Sequence, residues 1–180
     1  MLRISLAYIA LCLSIFTPVA GSAEQARPDL RSEAQRCAAA MLASEASEAV
    51  ACMHPRLVEA LGGADGARAS LNRQRKAFAE QGASLESVSI GTPGASVALN
   101  GREFVLVPQT LRIRVQQGVL RQSAYLLAIR EPGSRSWAFV DATAASPKAL
   151  STLFPDTRAA EFEAKLKVPP RAPPVLEERR

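Results

Sequence analysis

The dipeptide Asn100-Gly101 sits between two apolar runs and constrains this chain more than any other feature. Both residues tolerate positive φ, which the tight two-residue turn of a β-hairpin requires, so the flanking runs are predicted to pair antiparallel. Residues 104–115 form the longer run. In it Leu111, Ile113 and Val115 alternate with Thr110, Arg112 and Arg114, sending aliphatic and charged side chains to opposite faces. Pro108 cannot donate to a ladder and predicts a bulge, a bend or an edge position. Gln117-Gly118 turns the chain into residues 120–130, and Glu131-Pro132-Gly133-Ser134 turns it again into 137–141. With Leu85, Val88 and Ile90 ahead of the hairpin, the middle of the chain reads as an antiparallel meander of four or five strands.

Helices precede this sheet. Asp29 is placed to cap an Ala-rich helix over 30–44. A short second helix over 47–53 ends at His54, because Pro55 disfavours the helical conformation in the residue before it. Pro55 suits the first position of a further turn, 56–61, which Gly62-Gly63 closes. A helix over 65–81 has only a narrow apolar stripe of Ala67, Leu71, Ala77 and Phe78, so it is expected to lie on the sheet with its other faces in water. After the meander, Ser146-Pro147 opens a helical turn to Phe154, and Asp156 can cap another through Leu166. Residues 169–180 carry four prolines and few apolar side chains, and are expected to form a disordered, partly extended tail.

The first residues, Met1-Leu2-Arg3, are followed by an apolar run over 4–16 and small residues up to Ala23. That is the pattern of a secretory signal peptide over residues 1–23, cut after Ala23. The apolar run is shorter than the ~20 residues a stable membrane-crossing helix needs, so no membrane span is expected after cleavage. One α+β domain over 24–168 remains, in a periplasmic or secreted, oxidising setting. There Cys37 and Cys52 are an even pair. If the first two helices turn back on each other near Ser44 and Glu45, both cysteines lie equally far from the turn, and a disulfide closes a loop of about 15 residues. Two buried free thiols are the alternative.

The composition, 48% apolar, 22% charged and 5% aromatic, excludes a collagenous, disordered or polytopic membrane protein. The net charge is +5, but the basic residues are dispersed and interleaved with acids. The one concentration, Arg68, Arg73, Arg75 and Lys76, falls on a predicted helix as a solvated face, so nucleic acid is not an expected partner. One histidine with two separated cysteines has no metal-ligand spacing, and no nucleophile elbow or phosphate loop is present. No cofactor is expected.

Helices first, then a curved antiparallel sheet, is an α+β order. Together with Met53-His54-Pro55-Arg56-Leu57 and Gly62-Gly63 between helices, Val107-Pro108 facing the strand Tyr125-Leu126-Leu127-Ala128-Ile129, and Trp137-Ala138-Phe139-Val140-Asp141 on the last strand, it resembles the NTF2-like superfamily. The resemblance implies a bent sheet wrapped around the first helix as an open cone. It also implies that any enzyme among such domains would place a carboxylate, or a His with a carboxylate, inside the cone.

Two residues fit that chemistry: His54, the one side chain with an ordinary pKa near neutrality, and Asp141 at the end of the last strand. A hydrogen-bonding corner for His54 and a strand terminus for Asp141 are the competing readings. Phe104, Tyr125, Trp137 and Phe139 are candidates for the wall of an apolar ligand site, or for ordinary core. Arg112 and Arg114, with Arg121 and Arg130 on the neighbouring strand, form either a carboxylate clamp or a solvent-facing row. The functional expectation is an exported non-enzymatic domain that binds a small apolar ligand or a protein partner. A cone-pocket isomerase, dehydratase or hydrolase using His54 and Asp141 is one alternative; an envelope assembly or structural factor, with a homodimer through the sheet, is another.

Overall fold

A computed structural model describes residues 26–43, 45–142, 146–170 and 172–177. The expected signal peptide over 1–23, its cut after Ala23, and Thr143, Ala144 and Ala145 behind Asp141 lie outside the described residues. The hairpin forms where the dipeptide requires it. Asn100 and Gly101 take φ of 48° and 77°, and Leu99 pairs with Arg102 across the turn. This joins β2 (Ser96–Leu99) to β3 (Arg102–Val115). β3 runs on against β4 (Gly118–Arg130), in register from Glu103 opposite Arg130 to Val115 opposite Gly118. The connecting turn is therefore Gln116-Gln117, one position earlier than expected, and Gly118 begins the strand.

β1 (Ser84–Ile90) and β2 both lie on the same side of β3, one after the other. Pro108 is neither bulged nor at an edge: it sits within β3, opposite the interval between those two neighbours. The Gly91 amide donates to the Pro108 carbonyl at 2.8 Å and the Gly94 amide to the Leu106 carbonyl at 2.9 Å. In a strand, the N–H and C=O of one residue point the same way, so the donor that proline lacks would have faced this interval, while the ladder with β4 continues opposite Tyr125. A Cβ at Gly91 would stand 3.1 Å from the Pro108 Cβ, which is why a glycine leaves β1 at this point.

β5 (Ala138–Asp141) pairs with residues 126–129 of β4. Further along the same edge, β6 (Val175–Glu177) pairs antiparallel with residues 119–121. The sheet therefore has six strands rather than four or five. The expectation of a disordered tail is corrected over these residues: an open sheet edge offers unpaired backbone groups, and the tail's prolines already favour an extended path to them.

Helices α1 (Ala26–Leu42), α2 (Ala46–Cys52), α3 (Pro55–Ala60) and α4 (Gly63–Glu80) precede the sheet, as expected. Leu30, Ala34, Cys37 and Ala38 form one stripe of α1 and pack on Val88, Ile90, Val105, Val107, Ala128 and Phe139. Cys37 and Cys52 are joined, with Cα atoms 5.8 Å apart, tying α2 to α1. Two helices, α5 (Pro147–Leu153) and α6 (Ala159–Lys165), cover the other face. There Phe154 and Phe162 meet Phe104, Leu127, Ile129 and Val140. The sheet is thus covered on both sides, because alternate residues of β3 and β4 are apolar on both faces.

α4 departs from its expected place. Its buried residues Ala67 and Leu71 pack on Ala40 of α1 and Ala49 and Val50 of α2, and Phe78 is 45% exposed. Small side chains on α1 and α2 let a third helix approach them, which leaves the helix layer, rather than the sheet, as its support.

Replacing Cys37 and Cys52 together by Ala is expected to lower stability by about 3 kcal/mol through restored loop entropy in the unfolded chain. The midpoint of urea denaturation measures it, and thiol labelling of the denatured wild-type chain checks that both sulfurs are bonded.

Candidate functional site

Pro55 sets the local geometry at His54. The residue before a proline is held extended, here at φ −62° and ψ 133°, and so becomes the N-cap of α3. Its Nδ1 accepts from the Arg56 amide at 3.3 Å, and its own amide donates to the Phe139 carbonyl of β5 at 3.0 Å. With Nδ1 accepting, Nε2 carries the proton and donates to Glu131 Oε1 at 3.2 Å. The His54 side chain is 2% exposed.

Glu131 follows β4 directly, and its carboxylate is shared. Arg102, first residue of β3 and buried, donates from Nε to Oε1 at 2.9 Å and Oε2 at 3.0 Å. Its Nη1 reaches Asp156 Oδ2, between α5 and α6, at 2.7 Å. Asn100 in the hairpin turn donates through Nδ2 to the Asp156 carbonyl at 2.6 Å and to Thr157 Oγ1 at 2.9 Å. The Phe154 ring lies among these charges. The Arg56 and Arg102 guanidinium carbons stand 5.4 Å and 5.3 Å from its centroid, and His54 meets it edge-on at 5.0 Å. Every member is partnered, and no buried side-chain nitrogen or oxygen among the described residues lacks a hydrogen bond.

Burial pushes the His54 pKa below its ordinary 6.5; Glu131 opposes this, and Arg56 and Arg102 reinforce it. The imidazole is neutral at pH 7. The Arg102 hydrogen bond, with that guanidinium's charge, holds Asp156 below the ordinary carboxylate value. Burial disfavours the Arg102 cation, yet Asp156 and Glu131 outweigh it and raise its pKa.

The expected pair of His54 with Asp141 is replaced by His54 with Glu131. Asp141 is exposed and stands opposite Leu126 at the end of β5, while both His54 nitrogens are committed elsewhere. Asp156, expected to cap α6, serves Arg102 instead, and the N-cap of α6 is Arg158. The four aromatic candidates do not converge. Phe104, fully buried, and Tyr125 belong to the α5–α6 face, with Phe104 in edge contact with Phe154 and Phe162 at 5.7 Å and 5.6 Å. Trp137 and Phe139 belong to the opposite, α1 face, where Arg130 covers Trp137 at 4.7 Å. Open grooves on the described surface include one of about 450 Å³ lined by Val50, Ala51, Met53, Pro55 and Val58, and one of about 550 Å³ along Arg31, Gln35 and Arg36 of α1. Neither is lined by any of the four aromatics.

On α4, Arg68 pairs with Asp65, Lys76 with Glu80 at 3.8 Å, and Arg75 reaches the Met41 carbonyl, the pattern of a solvated helix face. Among the described residues no group of three or more His, Cys, Asp or Glu is placed to hold a metal, and no helix is long and apolar enough to cross a membrane. Compared with known proteins, the chain matches no family model, no curated protein and no solved structure.

Arg102, Glu131, Asp156 and Phe154 escaped sequence reasoning. They come from three segments, and no local spacing links positions 54, 102, 131 and 156.

The arrangement fastens: its histidine is buried with both ring nitrogens committed, and its two partly exposed carboxylates are held by Arg102. Because the unfolded chain protonates His54 first, stability is complete above about pH 6.5 and falls as pH drops through 6.5 toward the lower folded-state pKa. Asp156 adds a second loss below about pH 4, as pH falls through its depressed folded-state pKa. In unfolding measured from pH 7.5 to 5, His54→Gln is expected to flatten the first decline. Arg102→Met strands both carboxylates and is expected to cost about 2–3 kcal/mol at pH 7, read by denaturant unfolding.

Proposed function

We propose that this chain is an exported, non-enzymatic α+β domain of NTF2-like architecture that works by docking a protein partner. The observation that carries the reading is the commitment of its chemical groups. The single histidine is buried with both ring nitrogens occupied, and the four candidate aromatics are divided between two separate cores. A small apolar ligand needs enclosed space between sheet and helices. On one side Leu30, Ala34 and Cys37 take that space, and on the other Phe154 and Phe162. Catalysis through His54 would require the imidazole to give up Glu131 and enter water. The Cys37–Cys52 bridge supports an oxidising compartment, and the NTF2-like assignment rests on element order, with α1 laid on one face of the sheet.

Native mass spectrometry of the protein purified from an exported expression tests the reading. The expected spectrum is the bare, oxidised polypeptide, with no bound small molecule. A stoichiometrically retained apolar compound would overturn protein docking in favour of ligand carriage.

A further inference from the structure

The row of residues across the sheet at Arg112 is Ser87 on β1, Arg112 on β3, Arg121 on β4 and Val175 on β6. Two guanidinium groups therefore stand directly opposite each other on one face, with no acid in their row. Like charges in that register repel. Two other strand arginines have partners within the sheet: Arg130 faces Glu103 in the same ladder, and Arg114 pairs with Glu86 of β1 at 2.7 Å, while Arg102 is held by Glu131 and Asp156. For Arg112 and Arg121 the carboxylate arrives from the tail. Glu177 Oε2 lies 2.6 Å from Arg112 Nη1, and Oε1 lies 3.9 Å from Arg121 Nε.

The strand that delivers it is slight. β6 is three residues long, and Val175 and Leu176 remain 53% and 47% exposed. One further bond, from Gln122 Nε2 to the Ala172 carbonyl at 2.9 Å, holds its approach. Among the described residues no buried core residue lies beyond Leu166, so the strand can leave without opening a core. What remains at the edge of β4 is a row of backbone donors and acceptors beside two arginines, which suits strand addition by a peptide carrying an acid.

We propose that the β4 edge at residues 118–122 is a docking site for an extended, carboxylate-bearing segment of a protein partner, occupied in the isolated chain by its own tail. The ladder supplies affinity for any extended backbone. The Arg112–Arg121 pair selects a segment with an acid at the position Glu177 takes, following two apolar residues. This inference rests on the protein-docking reading and names its surface.

The test uses the full chain carrying Val175→Pro and Leu176→Pro. One of two adjacent strand residues must aim its N–H at β4, so the double change removes a ladder donor whichever it is. The probe is a fluorescent peptide with the sequence of residues 169–180. It is expected to bind the altered chain saturably and one to one, at least tenfold tighter than it binds the unaltered chain, whose tail competes in cis. Exchanging the glutamate at the Glu177 position for lysine in the peptide, or Arg121→Glu in the protein, is expected to weaken binding at least tenfold. Circular dichroism checks that the altered chain is folded; should it not be, Glu177→Lys vacates the site by charge alone and takes its place. No saturable binding, or binding indifferent to the glutamate, would overturn the proposal while leaving protein docking as such to stand, since that reading falls on a retained small molecule.

Discussion

β3 is a central strand with two faces to bury, and the rest of the structure answers that requirement. Its pleat sends Val105 and Val107 to one side and Phe104 and Leu106 to the other, and β4 repeats the pattern with Ala128 against Leu127 and Ile129. A sheet apolar on both faces needs two covers. The first is α1, stapled to α2 by the disulfide; the second is the α5–α6 pair, brought by the chain after it has completed β5. Pro108 fits within this strand because its missing donor faces the one interval where no strand lies alongside.

The His54–Glu131–Arg102–Asp156 cluster lies where these layers meet. It joins the α2–α3 corner, the start of β3, the end of β4 and the α5–α6 connection through side chains alone. A guanidinium buried to this degree demands compensation, and two carboxylates provide it; their partial exposure to water keeps the cost of burying the set down. Because each bond is directional, the cluster fixes how the second helical layer sits on the sheet, which apolar packing alone would leave less determined. The same bonds that make His54 a good fastener leave its imidazole no lone pair or proton to offer a substrate.

The exposed edge of β4 follows a different logic. Residues 119–121 are paired by three residues from the far end of the chain, and the contact that specifies them is a carboxylate between two opposed arginines. Core and edge are therefore separable: among the described residues the cores end at Leu166 and Val168, while Ala172 and Val175–Glu177 bond to the margin of β4. A margin held by backbone pairing and one ionic contact is the part of this molecule best suited to exchange partners.

Local patterns determined the secondary structure. Asn100-Gly101 specifies its turn because few residue pairs accept two positive φ values, Pro55 ends a helix by steric exclusion, and the alternation in 110–115 marks a strand. The equal spacing of Cys37 and Cys52 about the first helix turn made their bond readable too. Only the tertiary structure decided which apolar residues share a core: Phe104 and Phe139 look equivalent in sequence, yet opposite pleats send them to opposite layers. It alone decided that His54 belongs to Glu131 and not to Asp141, that α4 rests on helices, and that the proline-rich tail becomes a strand. Each of these outcomes depends on contacts between segments far apart along the chain, and the energies involved, a buried charge pair or an edge ladder, are carried by no local spacing that a sequence could display.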